Sequence, residues 1–404
     1  MRTSSETADA VVVGGGTIGG WCAWFLRRAG LERVVVVEHA TLGRGASSRA
    51  AGMVRSQGGT QWAVKLGMWS RDFYESQSYE LGLDSGFVAQ GYLMPAFSEA
   101  QVATGRARVA MQQELGLEVS WLSCAEADSL YPAMAPGSHL GGSYAPGDGW
   151  IDPARNVLAY ATALVSDGVE LRERTEFLGL RLAPDGASVL GVDTSSGPIS
   201  SDRVVLTGGP ELAAVGERAG VRITAGGTRH QVAVTEPHPA VAPDRLGMVF
   251  DIAEGLYWRP EEGGVLFGMS NPDEPPGPAR EVDWPYMKQI RGRLAELLPI
   301  TGDLGLRRVW AATIDYTPDH LPILGPALRP DGTAIGGVTV ASAGGHGMMW
   351  GPAVARVAAD LALEGSSGVL DVSELGLGRF DSEGRSRLDP DPIALPFPER
   401  TSVQ

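Results

Sequence analysis

The apolar run Ala10-Val11-Val12-Val13 ends abruptly at Gly14-Gly15-Gly16, which predicts a short strand buried on both faces followed by a tight turn. Ile18, Trp21, Cys22, Phe25 and Leu26 then recur at i, i+3, i+4, i+7 and i+8, the period of a helix with one buried face. Arg27 and Arg28 suit the C-terminal end of that helix, and Gly30 stops it. A second apolar run, residues 34–37, closes on Glu38. Further strand-like runs lie at 204–206 and 338–341, and helical periodicity follows Asp152-Pro153 (Val157, Tyr160, Ala161, Leu164) and Pro352 (Val354, Val357, Ala358, Leu361). Strands also fit 231–235 and 265–268, and 256–268 reads as a hairpin turning at Glu261-Glu262-Gly263-Gly264. The predicted class is α/β, without an internal repeat.

Strand, G-x-G-x-x-G (Gly14, Gly16, Gly19), helix, strand and acid stand in the order that binds a dinucleotide. Glycines allow the turn and let backbone approach a pyrophosphate; the helix N-terminus offers N–H groups to its charge, and Glu38 can accept from ribose hydroxyls. Glu38 also repels a 2′-phosphate, which disfavours NADP. Thirty-three basic against 48 acidic residues give a net charge of −15, which repels nucleic acid. Cys22 and Cys124 have no metal-type spacing, so no metal is expected. No apolar stretch is long enough for a membrane span, and the opening residues have no leader pattern; a cytoplasmic protein is expected. Lys65 and Lys288 are the sole lysines among abundant arginine, glycine and alanine, which points to a GC-rich genome.

The unit alone does not separate NAD from FAD. The small-residue loop 43–53, with Ala46, Ser47, Ser48, Arg49, Ala51, Gly52 and Met53, resembles that of the D-amino-acid oxidase superfamily of FAD enzymes, particularly its glycine oxidase, sarcosine oxidase and sarcosine dehydrogenase branches. Three later landmarks fit the same resemblance: Asp148-Gly149-Trp150-Ile151-Asp152-Pro153, Trp310 followed by Thr317-Pro318-Asp319, and the turn Gly344-Gly345-His346-Gly347-Met348-Met349. The resemblance implies a Rossmann-type FAD-binding domain (1–86, 149–222 and 306–380) interleaved with an α+β substrate domain on an antiparallel sheet (87–148 and 223–305). The remaining 381–404 would be an extended tail wrapping the surface or disordered. Non-covalent FAD would be held by Gly14, Gly15, Gly16, Thr17, Ile18 and Gly19, by Glu38 and His39, by the loop residues named above, by Phe177, Thr207 and Gly208, and by Gly344 to Met348. Pro210 departs from the aromatic residue usual in the family beyond that last strand.

The resemblance further implies oxidation of a C–N bond by hydride transfer to flavin N5, with orientation as the protein's main task. Arg55, Tyr257, Met53, Ile314 and Met349 are the expected substrate contacts, and His346 is a weak candidate for a base. Several family residues are replaced: a carboxylate-gripping arginine by Ile314, a second arginine by Gly345, lysines by Leu266 and Met349, and the flavin-tethering cysteine by Ala312. These replacements suggest a roomier, more apolar pocket, suited to an N-substituted glycine such as an N-carboxymethyl amino acid. The products would be free amine, glyoxylate and H2O2, in natural-product biosynthesis. The partners are then a small-molecule amine and molecular oxygen or another acceptor. Alternatives are a sarcosine dehydrogenase-like enzyme with a non-oxygen acceptor, a non-catalytic flavin-binding subunit and, from the first forty residues alone, an NAD dehydrogenase.

Overall fold

A computed structural model describes residues 6–242, 245–278 and 281–393. Its nucleus is a six-stranded sheet in the order Glu170–Arg172, Val34–Val37, Ala10–Val13, Val204–Leu206, Ala334–Ser342, Ile323–Leu328; the first five strands are parallel and the last is antiparallel. Alternate residues of the valine runs serve different cores, which is why these strands are apolar throughout. Ala10, Val12, Val34 and Val36 pack against helices Thr17–Arg28, Pro153–Ser166 and Gly351–Glu364. Val11, Val13, Val35 and Val37 face a second layer that includes Phe177, Val189, Val192 and Ile199. That layer is a four-stranded sheet of Glu6–Thr7, Ile199–Ser200, Val189–Thr194 and Phe177–Leu182.

Residues 170–182 are divided between these two sheets. Glu170–Arg172 completes the parallel sheet, Arg174 turns the chain at φ 52°, and Phe177–Leu182 begins the covering sheet.

An eight-stranded sheet runs Leu306–Tyr316, Gly226–Thr235, Gly264–Met269, Leu256–Glu261, Met248–Asp251, Tyr92–Pro95, Gly142–Ala145, Ser120–Leu122. It is antiparallel except between Met248–Asp251 and Tyr92–Pro95. Helix Trp284–Leu297 covers it through Tyr286, Met287, Ile290 and Leu294. Strand Leu306–Tyr316, expected with the nucleotide unit, is an edge strand here, paired along ten positions with Gly226–Thr235. Its first residues include the adjacent, exposed Arg307 and Arg308, as suits an edge strand rather than a doubly buried parallel strand.

The predicted hairpin closes at Glu262 (φ 48°) and Gly263 (φ 77°), two successive left-handed residues whose twist matches antiparallel strands. Asp152 caps Pro153–Ser166 by accepting from the N–H groups of Ala154 and Arg155. A three-stranded sheet of Met53–Val54, Gly149–Trp150 and Val88–Ala89 lies between the two larger sheets in sequence order and carries the end of the 43–53 loop. The tail follows the surface from 381 and buries Ile393; residues 394–404 lie outside the described residues. Among the described residues no helix is long and apolar enough to cross a membrane.

Candidate active site

A single cavity of about 910 Å³ extends from the glycine turn to the eight-stranded sheet. At one end, Gly14 sits at φ 100°, a conformation that disfavours any Cβ. A Cβ on Gly19 would fall 1.9 Å from the Gly14 carbonyl oxygen, so helix and turn touch backbone to backbone. Gly16 is the N-cap of Thr17–Arg28 and puts no side chain over the helix start. Ser47 Oγ accepts from Thr17 N at 3.0 Å and thereby fixes the 43–53 loop beside that helix. The Glu38 carboxylate accepts from Gly15 N at 2.8 Å and Ala40 N at 2.7 Å, and His39 Nδ1 lies 3.2 Å from it. A Cβ-free turn, a helix N-terminus and an acid at the second strand's end fit a dinucleotide, with the pyrophosphate on the turn and a ribose at Glu38.

Towards the middle, Phe177, Thr207, Gly208 and Pro210 line the wall, so Pro210 takes part where the family pattern has an aromatic. Thr207 Oγ1 donates to Val13 O at 2.6 Å, and the Phe177 carbonyl accepts from Arg218 at 3.3 Å. Gly345, His346, Gly347 and Met348 line the opposite wall.

Three expected cofactor residues lie elsewhere. Ser48 and Arg49 do not line the cavity, because the short 3₁₀ turn Ser47–Arg49 directs them outward; Arg49 bonds to the Arg44 and Gly45 carbonyls instead. Gly344 sits behind the turn at φ 58°, where a Cβ would strike Leu321 O at 2.7 Å. Two contacts hold the 43–53 loop to the eight-stranded sheet: Trp310 Nε1 donates to Arg49 O at 2.9 Å, and buried Arg259 donates to Ala51 O at 2.8 Å with its guanidinium over the Trp150 ring.

The far end gathers all five expected substrate residues, Arg55, Tyr257, Met53, Ile314 and Met349, in the lining. Arg55 is 4% exposed; its Nη1 donates to Gln57 O and its guanidinium lies 5.5 Å from the Phe250 ring centre. Among the described residues it has no salt-bridged carboxylate.

Tyr257 reaches across the neighbouring strand, over Gly268, whose absent Cβ would lie 2.8 Å from the phenol oxygen. There it meets His230 Nε2 at 2.6 Å, while His230 Nδ1 lies 2.9 Å from Ser270 Oγ. Burial lowers the His230 pKa from 6.5 to about 4. His230 was not among the sequence-derived candidates, although it lies one residue before the predicted strand 231–235. Extending the alternation by one step would have put it in the sheet, but only the fold brings it to Tyr257.

His346 is buried and stacked on Trp350 at 4.0 Å. Burial, with the charge of Arg55 and His320 adding to it, lowers its pKa to about 3, so it is neutral at ordinary pH. Ile314 pairs with Thr228 and Ala312 with His230 between the edge strand and its neighbour. Neither cysteine nor lysine lines the cavity: Cys22 is in the helix core, Cys124 is remote from it in the Cys124–Leu130 helix, and Lys65 and Lys288 are exposed. Leu266 is a core residue.

Residues 9–361 match the family model described as FAD dependent oxidoreductase. The chain is 27% identical over 387 residues to a 4-methylaminobutanoate oxidase (formaldehyde-forming) from Paenarthrobacter nicotinovorans, covering 93% of this chain and 46% of that protein. It is 29% identical to a glycine oxidase from Geobacillus kaustophilus, covering 92% of this chain and 97% of that one. Thus the chain spans less than half the length of the first relative and nearly all of the second. In fold it superposes on an L-proline dehydrogenase from P. horikoshii with a TM-score of 0.84 at 24% identity, covering 92% and 97% of the two chains.

Proposed function

Because the chain belongs to the FAD-dependent oxidoreductase family, we propose that it oxidises the C–N bond of a carboxylated secondary amine, an N-substituted glycine such as an N-carboxymethyl amino acid. FAD would be held without a covalent bond by the glycine turn, Glu38, the 43–53 loop and the 345–348 turn. When bound, it supplies the two-electron oxidation of the carbon beside nitrogen. The observation that carries the substrate class is a buried arginine that, among the described residues, has no salt-bridged acid, set among apolar and aromatic side chains.

Arg55 would bind the substrate carboxylate, for which a guanidinium offers paired donors. Met53, Ile314 and Met349 would exclude water and accept an apolar N-substituent. The Tyr257 hydroxyl, set by neutral His230, would hydrogen-bond the substrate and fix its orientation. Neutral His346 adds no positive charge that would compete with Arg55 for the carboxylate. Net consumption of amine, water and oxygen would then release free amine, glyoxylate and hydrogen peroxide. The absence of a lysine from the cavity lining favours a second reading for the other half-reaction, in which electrons leave to an acceptor other than oxygen.

Three measurements test the proposal: glyoxylate and peroxide after mixing the FAD-loaded protein with N-substituted glycines, and the same assay on Arg55→Met. Glyoxylate production that disappears in R55M supports it. Turnover of amines lacking a carboxylate at the same rate as carboxylated ones overturns it.

A further inference from the structure

The landmark from Asp148 to Pro153 has two acids: Asp152 caps a helix, whereas Asp148 is fully buried against the segment that carries Arg55. Strand Gly149–Trp150 pairs antiparallel with Met53–Val54, and Val54 stands opposite Gly149, so the next position along brings Asp148 opposite Arg55. There its carboxylate accepts from backbone: Oδ1 from Ser56 N–H at 2.8 Å and Oδ2 from Gln57 N–H at 3.4 Å. The Asp148 carbonyl accepts from Gln90 N at 3.1 Å and Gly91 N at 2.9 Å, which fixes the aspartate in its turn.

Gln57, also buried, links this acid to the arginine. Its carbonyl accepts from Arg55 Nη1. Its side-chain Nε2 donates to Tyr92 O at 2.8 Å, and its Oε1 accepts from Ser143 Oγ at 2.7 Å. Tyr92 and Ser143 lie on adjacent strands of the eight-stranded sheet, so one amide bridges both. Helix Gln61–Glu80 closes on the same segment at Gly67, where a Cβ would lie 2.7 Å from Arg55 O and 2.8 Å from Ser56 Cα. Gln112 Nε2, from helix Glu99–Glu114, donates to Gly58 O at 2.8 Å. Residues 55–58 are therefore fixed by strands, two helices and a buried acid, and the carbonyl that directs the Arg55 guanidinium is itself immobile.

We propose that Asp148 and Gln57 are specificity-determining positioning residues, which preset Arg55 for a substrate carboxylate. The inference rests on Arg55 as the carboxylate anchor. Its physical basis is conformational: an arginine that must be ordered when it grips an anion loses rotamer freedom at that moment and binds more weakly, whereas one ordered during folding does not. Ser143 does not line the cavity and reaches Arg55 only through Gln57. A neutral ligand of the same shape, which does not depend on paired donors from the guanidinium, is insensitive to this ordering.

The test uses the full-length, FAD-loaded protein, with acetate and its neutral isostere acetamide as probes read by flavin difference spectra. Asp148→Asn leaves one oxygen for two backbone donors, and Gln57→Met removes both side-chain bonds. Each is expected to weaken acetate by about threefold or more, leaving acetamide unchanged. Ser143→Ala is expected to weaken acetate by about twofold; being outside the cavity, it carries the test alone if the other two do not hold FAD. Acetate affinity that stays unchanged, or moves in parallel with acetamide, overturns the proposal. Arg55→Met separates the two readings. If R55M binds acetate as wild type does, the anchor reading fails; if R55M loses acetate while D148N, Q57M and S143A leave it unchanged, only the positioning role fails.

Discussion

Replacing Tyr257 by Phe keeps a ring in a nearly closed site, 4% exposed, and removes only the hydroxyl that meets His230 Nε2 at 2.6 Å. His230 is 8% exposed, so the orphaned nitrogen has little access to water. Leaving such a group unpaired costs about 1–3 kcal/mol. His230→Leu should cost a similar amount for the mirror-image reason, because it orphans the buried phenol. The double variant removes both partners, and paired apolar replacement is far cheaper than either single loss. The double variant should therefore be more stable than the sum of the singles by about 1–3 kcal/mol. Ser270 Oγ loses its partner equally in H230L and the double, so that cost cancels. Urea unfolding of the FAD-loaded proteins measures the cycle, and the anaerobic flavin-reduction rate reports whether the pair also orients substrate. Additivity within about 0.5 kcal/mol would refute the reasoning.

Gly19→Ala forces a methyl to within 1.9 Å of the Gly14 carbonyl and should lower FAD retention at least tenfold by ultrafiltration, while far-ultraviolet dichroism stays close to wild type. Arg379→Met leaves Asp319 buried and unpaired, at a cost of about 3–5 kcal/mol visible in the thermal melt. Acidification should destabilise the protein. His230 and His320 titrate at about 4 and His346 at about 3 in the folded chain, against 6.5 ordinarily, so the unfolded chain binds more protons once the pH falls below about 6.5. Each adds a loss of up to about 1.4 kcal/mol per pH unit down to its folded value; H230L should flatten that slope, and denaturant midpoints between pH 7 and 4.5 measure it.

The nucleotide-binding half was legible because its signals are local. Valine runs, a glycine turn and an acid at fixed offsets dictate strand, turn and helix before any tertiary contact forms, and the hairpin turn and the Asp152-Pro153 cap announce themselves in the same way. Strand Leu306–Tyr316 was misplaced because landmark order does not say which sheet a strand joins; its adjacent arginines, Arg307 and Arg308, carried the better clue. Ser48, Arg49 and Gly344 belong to motifs whose neighbours line the cavity, but a 3₁₀ turn and a left-handed glycine aim them away. His230 and Arg259 act through partners 27 and 208 residues away along the chain, and no sequence period reports such distances.

Anaerobic mixing of the FAD-loaded protein with a series of N-substituted glycines, matched amines lacking the carboxylate, and free glycine tests the central claim most directly. The flavin should be bleached by N-substituted glycines and little by the other two, with glyoxylate as the product. Bleaching that ignores the carboxylate, or no bleaching by any carboxylated secondary amine, would contradict it.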